Sequence, residues 1–306
     1  MRKSIEFIKK ILHVPLNARF PADTPLQLPA SQWRYVFVQV AKNIIIKNTP
    51  LLAASIAYFA TLSFFPLVIA GVAITTFIMN DSQLQSAIAS IQQYLPQDMA
   101  GLLSAQFENA LHNKSNNILT ALVALVIAIF GVSAAVQNLI HATNLVYDTK
   151  ETRGFIGFTA MGLVLTLAML AGVCIILVLI VLNQDILQTI HTPAAIATIF
   201  PYIRWPLLVC CIMFGLAVFY RYGPSRRNPK WRWVSWGAAA ATIIWLLGTY
   251  GFFIYIQYFG NLGSTYSVFA GSIALMLWFN LTAFIVLLGA QINHNLELRT
   301  TKPTES

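Results

Sequence analysis

The stretch from Leu51 to Met79, LLAASIAYFATLSFFPLVIAGVAITTFIM, runs for 29 residues without an Asp, Glu, Lys or Arg. About 20 apolar residues, rising ~1.5 Å each in a helix, cross the ~30 Å hydrocarbon core of a bilayer. This segment is therefore read as a membrane span. Five more runs qualify, at about Ile118 to Val146, Phe155 to Leu182, Trp205 to Tyr220, Val234 to Phe259 and Val268 to Asn293. The fourth reaches a usual length only with Pro201 to Arg204 at the interface. Composition points the same way: of 306 residues, 58% are hydrophobic and 9% charged, against about 25% charged in soluble domains. A water-soluble enzyme is excluded, and the expected fold is all-α and polytopic, with six transmembrane helices.

Orientation follows from where Lys and Arg sit near the span ends. The segment before the first span, the second and fourth connections and the tail hold 17 of the 19 cations. The other connections hold only Lys114 and Arg204. Both termini are thus expected to be cytoplasmic, and the even number of spans, which puts them on one side, agrees. The chain divides into a basic N-terminal region (1–50), a six-helix membrane domain (51–296) and a short tail (297–306). The +9 net charge is accounted for by topology, so nucleic acid is not an expected partner and membrane lipid is.

Residues 1–20 offer Ile5, Phe7, Ile8, Ile11 and Leu12, interrupted by Lys9 and Lys10. That pattern is an amphipathic turn or two on the cytoplasmic leaflet and not a signal-peptide core. After a linker with Pro15, Pro21, Pro25 and Pro29, helical spacing resumes through Trp33, Val36, Val40 and Ile44, predicting a second interfacial helix that forms an elbow into the first span. The long external connection (80–117) reads as two amphipathic helices, through Leu84, Ile88, Ile91 and Leu95 and then Leu102, Leu103, Phe107, Ala110 and Leu111. They either roof a cavity or float in the interface. Gly260 to Gly263 reads as a tight external turn.

No carboxylate or cation lies near the middle of a span, which disfavours a proton antiporter driven by buried acids. Asp148 and Asp185 sit at span ends, where a gate or relay competes with an ordinary solvated loop. The spans carry neutral polar groups instead. Ser55, Tyr58 and Ser63 occupy the first, Gln137 and Asn138 the second, and Asn280, Gln291 and Asn293 the sixth. Such groups bind an alkali cation or a polar head group, or else join helices at ~0.6 kcal/mol per contact. Pro66 removes a backbone hydrogen bond in the first span, predicting a kink or break with Ser63 available to a freed carbonyl. Ala53, Ala57 and Ala60 form a small-residue stripe for close helix approach, which leaves homo-oligomerisation open.

The signals of known chemistry are missing. The five histidines are scattered, Cys174, Cys210 and Cys211 lie in apolar runs, and no HExxH, CxxC, GxSxG or phosphate-binding glycine loop occurs. No catalytic residue, metal or cofactor is therefore expected. Arg221, Arg226, Arg227, Lys230 and Arg232, with Trp231, Trp233 and Trp236, read as an anchor on lipid phosphates in the basic loop 221–233.

Three stretches carry a family resemblance: LAASIAYFATLSFFP from Leu52 to Pro66, Tyr220 with Pro224, and YSVFAGSIALMLW from Tyr266 to Trp278 continuing to LLGAQIN at Leu287 to Asn293. They resemble the YihY/BrkB family of bacterial inner-membrane proteins, formerly labelled ribonuclease BN, over roughly Trp33 to Leu296. The resemblance implies six spans and a multi-pass inner-membrane location. It also brings three unreconciled associations: tRNA processing, virulence, and export of lipids or solutes. Where relatives often carry Glu after Gly-Ala, this chain has Gln291, so a proton-coupled role at that position is weakened.

The function expected is transport or export of an amphiphile or small solute, with Ser55, Tyr58, Ser63, Pro66, Gln137, Asn138, Asn280, Gln291 and Asn293 along the path. The alternative is a non-transporting envelope scaffold that recruits partners through its basic regions. A membrane-tethered ribonuclease, which would have to use Asp148 or Asp185, ranks third because no metal-ligand set or acid–base pair accompanies them.

Overall fold

A computed structural model of the chain describes residues 25–78, 89, 117–182, 193–226, 231–259 and 263–299. The N-terminal amphipathic turns, the external helices (Ala89 apart), Asp185, Gly260, Arg227 and Lys230 lie outside the described residues. A 3-10 turn at Pro25–Gln27 is followed by α1 (Ala30–Ile46), α2 (Thr49–Ile78), α3 (Asn117–Val146), α4 (Phe155–Val181), α5 (Ala194–Tyr222), α6 (Trp231–Phe259) and α7 (Gly263–Glu297). Among the described residues the fold is entirely helical. The helices α2 to α7 are each long and apolar enough to span a membrane.

Three of these helices differ from the sequence expectation. α5 is not short: it runs 29 residues with Pro201 and Pro206 inside it, and Arg204 falls within its apolar stretch of Ile199–Tyr222. α2 is not broken at Pro66, since the helix continues unbroken to Ile78. Ser63 does not serve the carbonyl that proline frees at Leu62; its hydroxyl donates to Phe59 O and Ala60 O at 2.9 and 3.0 Å. α1 is more than an interfacial float. Its Val36 and Val40 are buried against Ile292 and Leu296 of α7, with Trp33 edge-on to Trp236 of α6 at 6.1 Å. The opposite face of α1 leaves Phe37, Ile45 and Ile46 exposed, as a helix does when it is shared between protein and lipid.

Each span packs on the next in chain order, and α7 returns to α2, closing a ring; α7 also touches α3. The small-residue stripe does what close approach requires. Ala53 and Ala57 are fully buried, and α2 makes its most extensive contacts with α3. The α6–α7 crossing is closer still, because a Cβ on Gly237 would meet the Gly289 carbonyl and the Asn293 amide, and one on Gly289 would meet the Tyr220 hydroxyl.

The core is lopsided. Its main cluster draws Ala53 and Ile56 from α2, Val136 to Val146 from α3, Leu165 from α4, Ala217 to Tyr220 from α5, Val234 and Ala238 from α6 and Ala283 to Ala290 from α7. Every one of these lies in the half of its helix nearest the basic connections.

Candidate functional site

At the basic end, polar side chains cross-link five of the spans and the connection that leads into α4. α3 ends in a Schellman turn, with Thr149 N–H donating to Asn144 O at 3.0 Å and Asp148 N–H to Leu145 O at 3.3 Å. The turn puts Asp148 at φ 53°, a left-handed position usually given to glycine. Its carboxylate accepts from Lys47 Nζ at 2.8 Å and meets His294 Nε2 of α7 at 3.2 Å. The same ammonium donates to Val146 O and Leu145 O at 2.8 and 3.2 Å, placing a cation on the negative end of α3. Burial would raise the Asp148 pKa, but the Lys47 hydrogen bond and charge, helped by His294, outweigh it and hold the carboxyl below its usual range.

Beside this latch, Asn144 donates to Glu151 at 2.8 Å and accepts from Ser225 N–H at 2.7 Å. Arg153 caps the end of α5 through the carbonyls of Tyr222, Gly223 and Pro224 at 3.0–3.2 Å. Arg226 pairs with Glu297 at 2.7 Å, donates to Tyr220 O at 3.1 Å, and lies 3.9 Å over the Tyr147 ring. Burial raises the Tyr147 phenol above its ordinary pKa against the pull of Arg226, so it stays neutral. Deeper in, Tyr220 donates to Val286 O at 2.7 Å. Asn293 accepts from Gly237 N–H at 2.7 Å and donates to Val234 O at 3.2 Å. Gln291 donates to Thr49 Oγ1 at 2.7 Å while its Oε1 is buried without a partner.

Of the residues picked from sequence, the structure brings Asp148, Gln291, Asn293 and Arg226 into this lattice. The others do not converge on it. Ser55 is exposed and bonds back to Leu52 O at 2.8 Å. Tyr58 is exposed with its ring edge-on to Phe59. Ser63 is buried against Gly131, where an added Cβ would sit 2.7 Å away, and Pro66 is half-buried. Gln137 bonds Ser133 at 3.1 Å above Gly162, and Asn138 bonds Ala134 O at 2.9 Å. Arg221 lies 4.7 Å over the Trp231 ring; α6 contains Arg232, whose side chain is outside the described set. Sequence reasoning named Asn144 only as a polar group of the second span and Tyr220 only as part of the family resemblance, and gave no site role to Lys47, Tyr147, Glu151, Arg153, His294 and Glu297. The signal was there: six of the ten acids, Asp148, Glu151 and Glu297 among them, fall at the end where positive-inside bias collects cations.

The other half of the bundle is loose. On α6 the stripe facing the bundle is buried at Val234, Ala238 and Ala241 and then half-exposed at Trp245, Gly248, Phe252 and Ile256. On α7, Leu287 and Ala283 are buried whereas Asn280 and Phe279 are half-exposed. Burial there is scattered, with Ala70, Ala124 and Ala128 along the α2–α3 seam and single positions such as Leu179 of α4 and Leu275 of α7. At the boundary lies a chain of rings: Trp245 to Trp278 at 6.1 Å, Trp278 to Phe279 at 5.4 Å, and Phe279 to Phe64 at 6.1 Å. Trp245 Nε1 donates to Thr282 at 3.1 Å, and Thr249 Oγ1 is buried without a partner.

The virulence factor BrkB family model matches residues 40–306. The ribonuclease-like protein YfkH of Bacillus subtilis is 27% identical over 258 residues, covering 83% of this chain and 92% of its own. A UPF0761 membrane protein of Pseudoalteromonas atlantica is 24% identical over 257 residues, covering 80% of each chain. No solved structure matches. A helical bundle with six membrane-length spans and a family match over nearly all of it place the chain in the virulence factor BrkB family.

Proposed function

We propose that this protein moves an amphiphile across or within the bacterial inner membrane, with its basic end facing the cytoplasm. The supporting observation is the α6 stripe, buried beside the polar lattice and open from Trp245 onward. A bundle sealed at one end and loose at the other suits a transporter held in one of its access states. Apolar and aromatic walls with a few neutral polar groups suit a lipid-like ligand.

The test is transbilayer movement of a fluorescent phospholipid analogue in proteoliposomes. Wild type should accelerate movement over empty liposomes, and Asn280→Ala should lower that rate several-fold at equal protein incorporation. No acceleration by wild type overturns the reading. Loss of cellular function on deleting residues 1–30, with span variants fully active, would favour a scaffold instead. The reading also treats the chain as non-catalytic; RNA cleavage by the purified protein that disappears in Asp148→Asn would overturn that part.

A further inference from the structure

We infer that Arg204 binds the phosphate head group of an anionic amphiphile at the mouth of the loose half. This rests on the amphiphile reading above and adds the charge of the ligand and the residue that recognises it.

Arg204 stands in α5 on the stripe Pro201, Arg204, Leu208 and Ile212, in which Leu208 is buried and the others are half-buried. That stripe faces the bundle; Tyr202, Ile203 and Trp205 on the other side are exposed. Tyr222, at the basic end of α5, lies 18 residues on, or ~27 Å along the helix. Arg204 therefore sits near the far edge of the ~30 Å hydrocarbon core. Among the described residues it is the only charged one in that half, since Asp148, Glu151 and Glu297 and the remaining cations all lie at the basic end.

Its own bonding is incomplete. The Nε atoms of Arg204 and Arg226 are both buried with no hydrogen-bond partner, but Arg226 is paired through its other nitrogens with Glu297 and Tyr220 O, whereas the Arg204 guanidinium meets the Trp205 ring at 5.3 Å. A buried N–H without a partner is costly. A phosphate supplies an acceptor and a counter-charge together, because guanidinium matches two of its oxygens at once. Near the middle of α2, α6 and α7 runs the chain of rings Phe64, Phe279, Trp278 and Trp245, apolar surface suited to hydrocarbon. Cation at the mouth and rings near the middle of the helices describe a site for a phosphate-bearing lipid.

The experiment uses the full chain in a phosphate-free maltoside detergent. It is titrated with phosphatidic acid, with diacylglycerol of the same chains, and with inorganic phosphate as competitor, and binding is read by native mass spectrometry. Wild type should hold phosphatidic acid at least ~10-fold more tightly than diacylglycerol, equivalent to about 1.4 kcal/mol. Arg204→Gln should remove that preference while leaving diacylglycerol binding unchanged, and Arg204→Lys should keep part of it. Should the Gln variant fail to fold, the wild-type preference and the Lys variant still decide the matter.

If wild type binds both lipids equally, or Arg204→Gln keeps the preference, Arg204 is an interfacial anchor and the inference falls while the amphiphile reading stands. Displacement of phosphatidic acid by equimolar inorganic phosphate would make this a site for soluble phosphate and overturn the lipid assignment. Binding of neither lipid would remove the amphiphile reading together with the inference.

Discussion

Asp148 occupies a left-handed backbone position that glycine would fill at less cost, and its carboxylate joins Lys47 to His294. Asp148→Gly should relax the turn yet free α7 from α3, a trade that places the latch, and not the turn, as the reason for the residue. Because its folded pKa is lowered, its contribution is present above the unfolded value of ~3.9 and is lost as pH falls through the folded value. The side chain is 66% exposed, so screening keeps the effect below about 1 kcal/mol. Thermal unfolding between pH 5 and 2 should show a wild-type decline that is shallower in Asp148→Asn; parallel curves would remove the latch. Gly289 is constrained by space. Its α-carbon faces the Tyr220 hydroxyl and Ala241, so Gly289→Ala should overpack the α6–α7 crossing and cost about 1–3 kcal/mol, read as a lowered unfolding temperature.

Among the elements, α2 and α7 carry opposite lessons. Pro66 leaves α2 continuous, because lipid and neighbouring helices offer no better conformation and the remaining ladder on either side is intact. Pro66→Ala should therefore be tolerated or mildly stabilising when unfolding is followed in detergent; a loss of activity at unchanged stability would give the proline a role in motion. α7 is tied into the bundle by side chains. Asn293 bonds two backbone groups of α6, and its truncation to Ala removes both buried bonds, at about 1–3 kcal/mol. Reduced membrane abundance of Asn293→Ala, against normal abundance of Asn280→Ala, would separate the helix-joining amide from the one that has no hydrogen-bond partner among the described residues.

Over the whole molecule, polar cross-links and core coincide at one end, and the opposite half has neither in quantity. A cysteine placed at Phe252 should react with a maleimide in detergent while one at Ala238 should not, in a background where Cys174, Cys210 and Cys211 are replaced. Equal reactivity would mean that the bundle is as closed at one end as at the other.

The spans, their number and the clustering of cations at one end were legible from the order of residues, because a bilayer imposes length and hydropathy on each segment separately. The small-residue stripe at Ala53 and Ala57 was legible for the same reason: close approach depends on local size. Partners were not. Nothing in the neighbourhood of Gln291 names Thr49, 242 positions away, and nothing near Lys47 names Asp148. Arg204 read as a loop residue because hydropathy windows end at charges, whereas the helix continues through it. Which amides join helices, which hydroxyls turn to lipid and where the bundle loosens depend on how six similar helices are rotated against one another. That rotation is set by side-chain fit and hydrogen bonding between distant segments, so it is decided only in the tertiary structure.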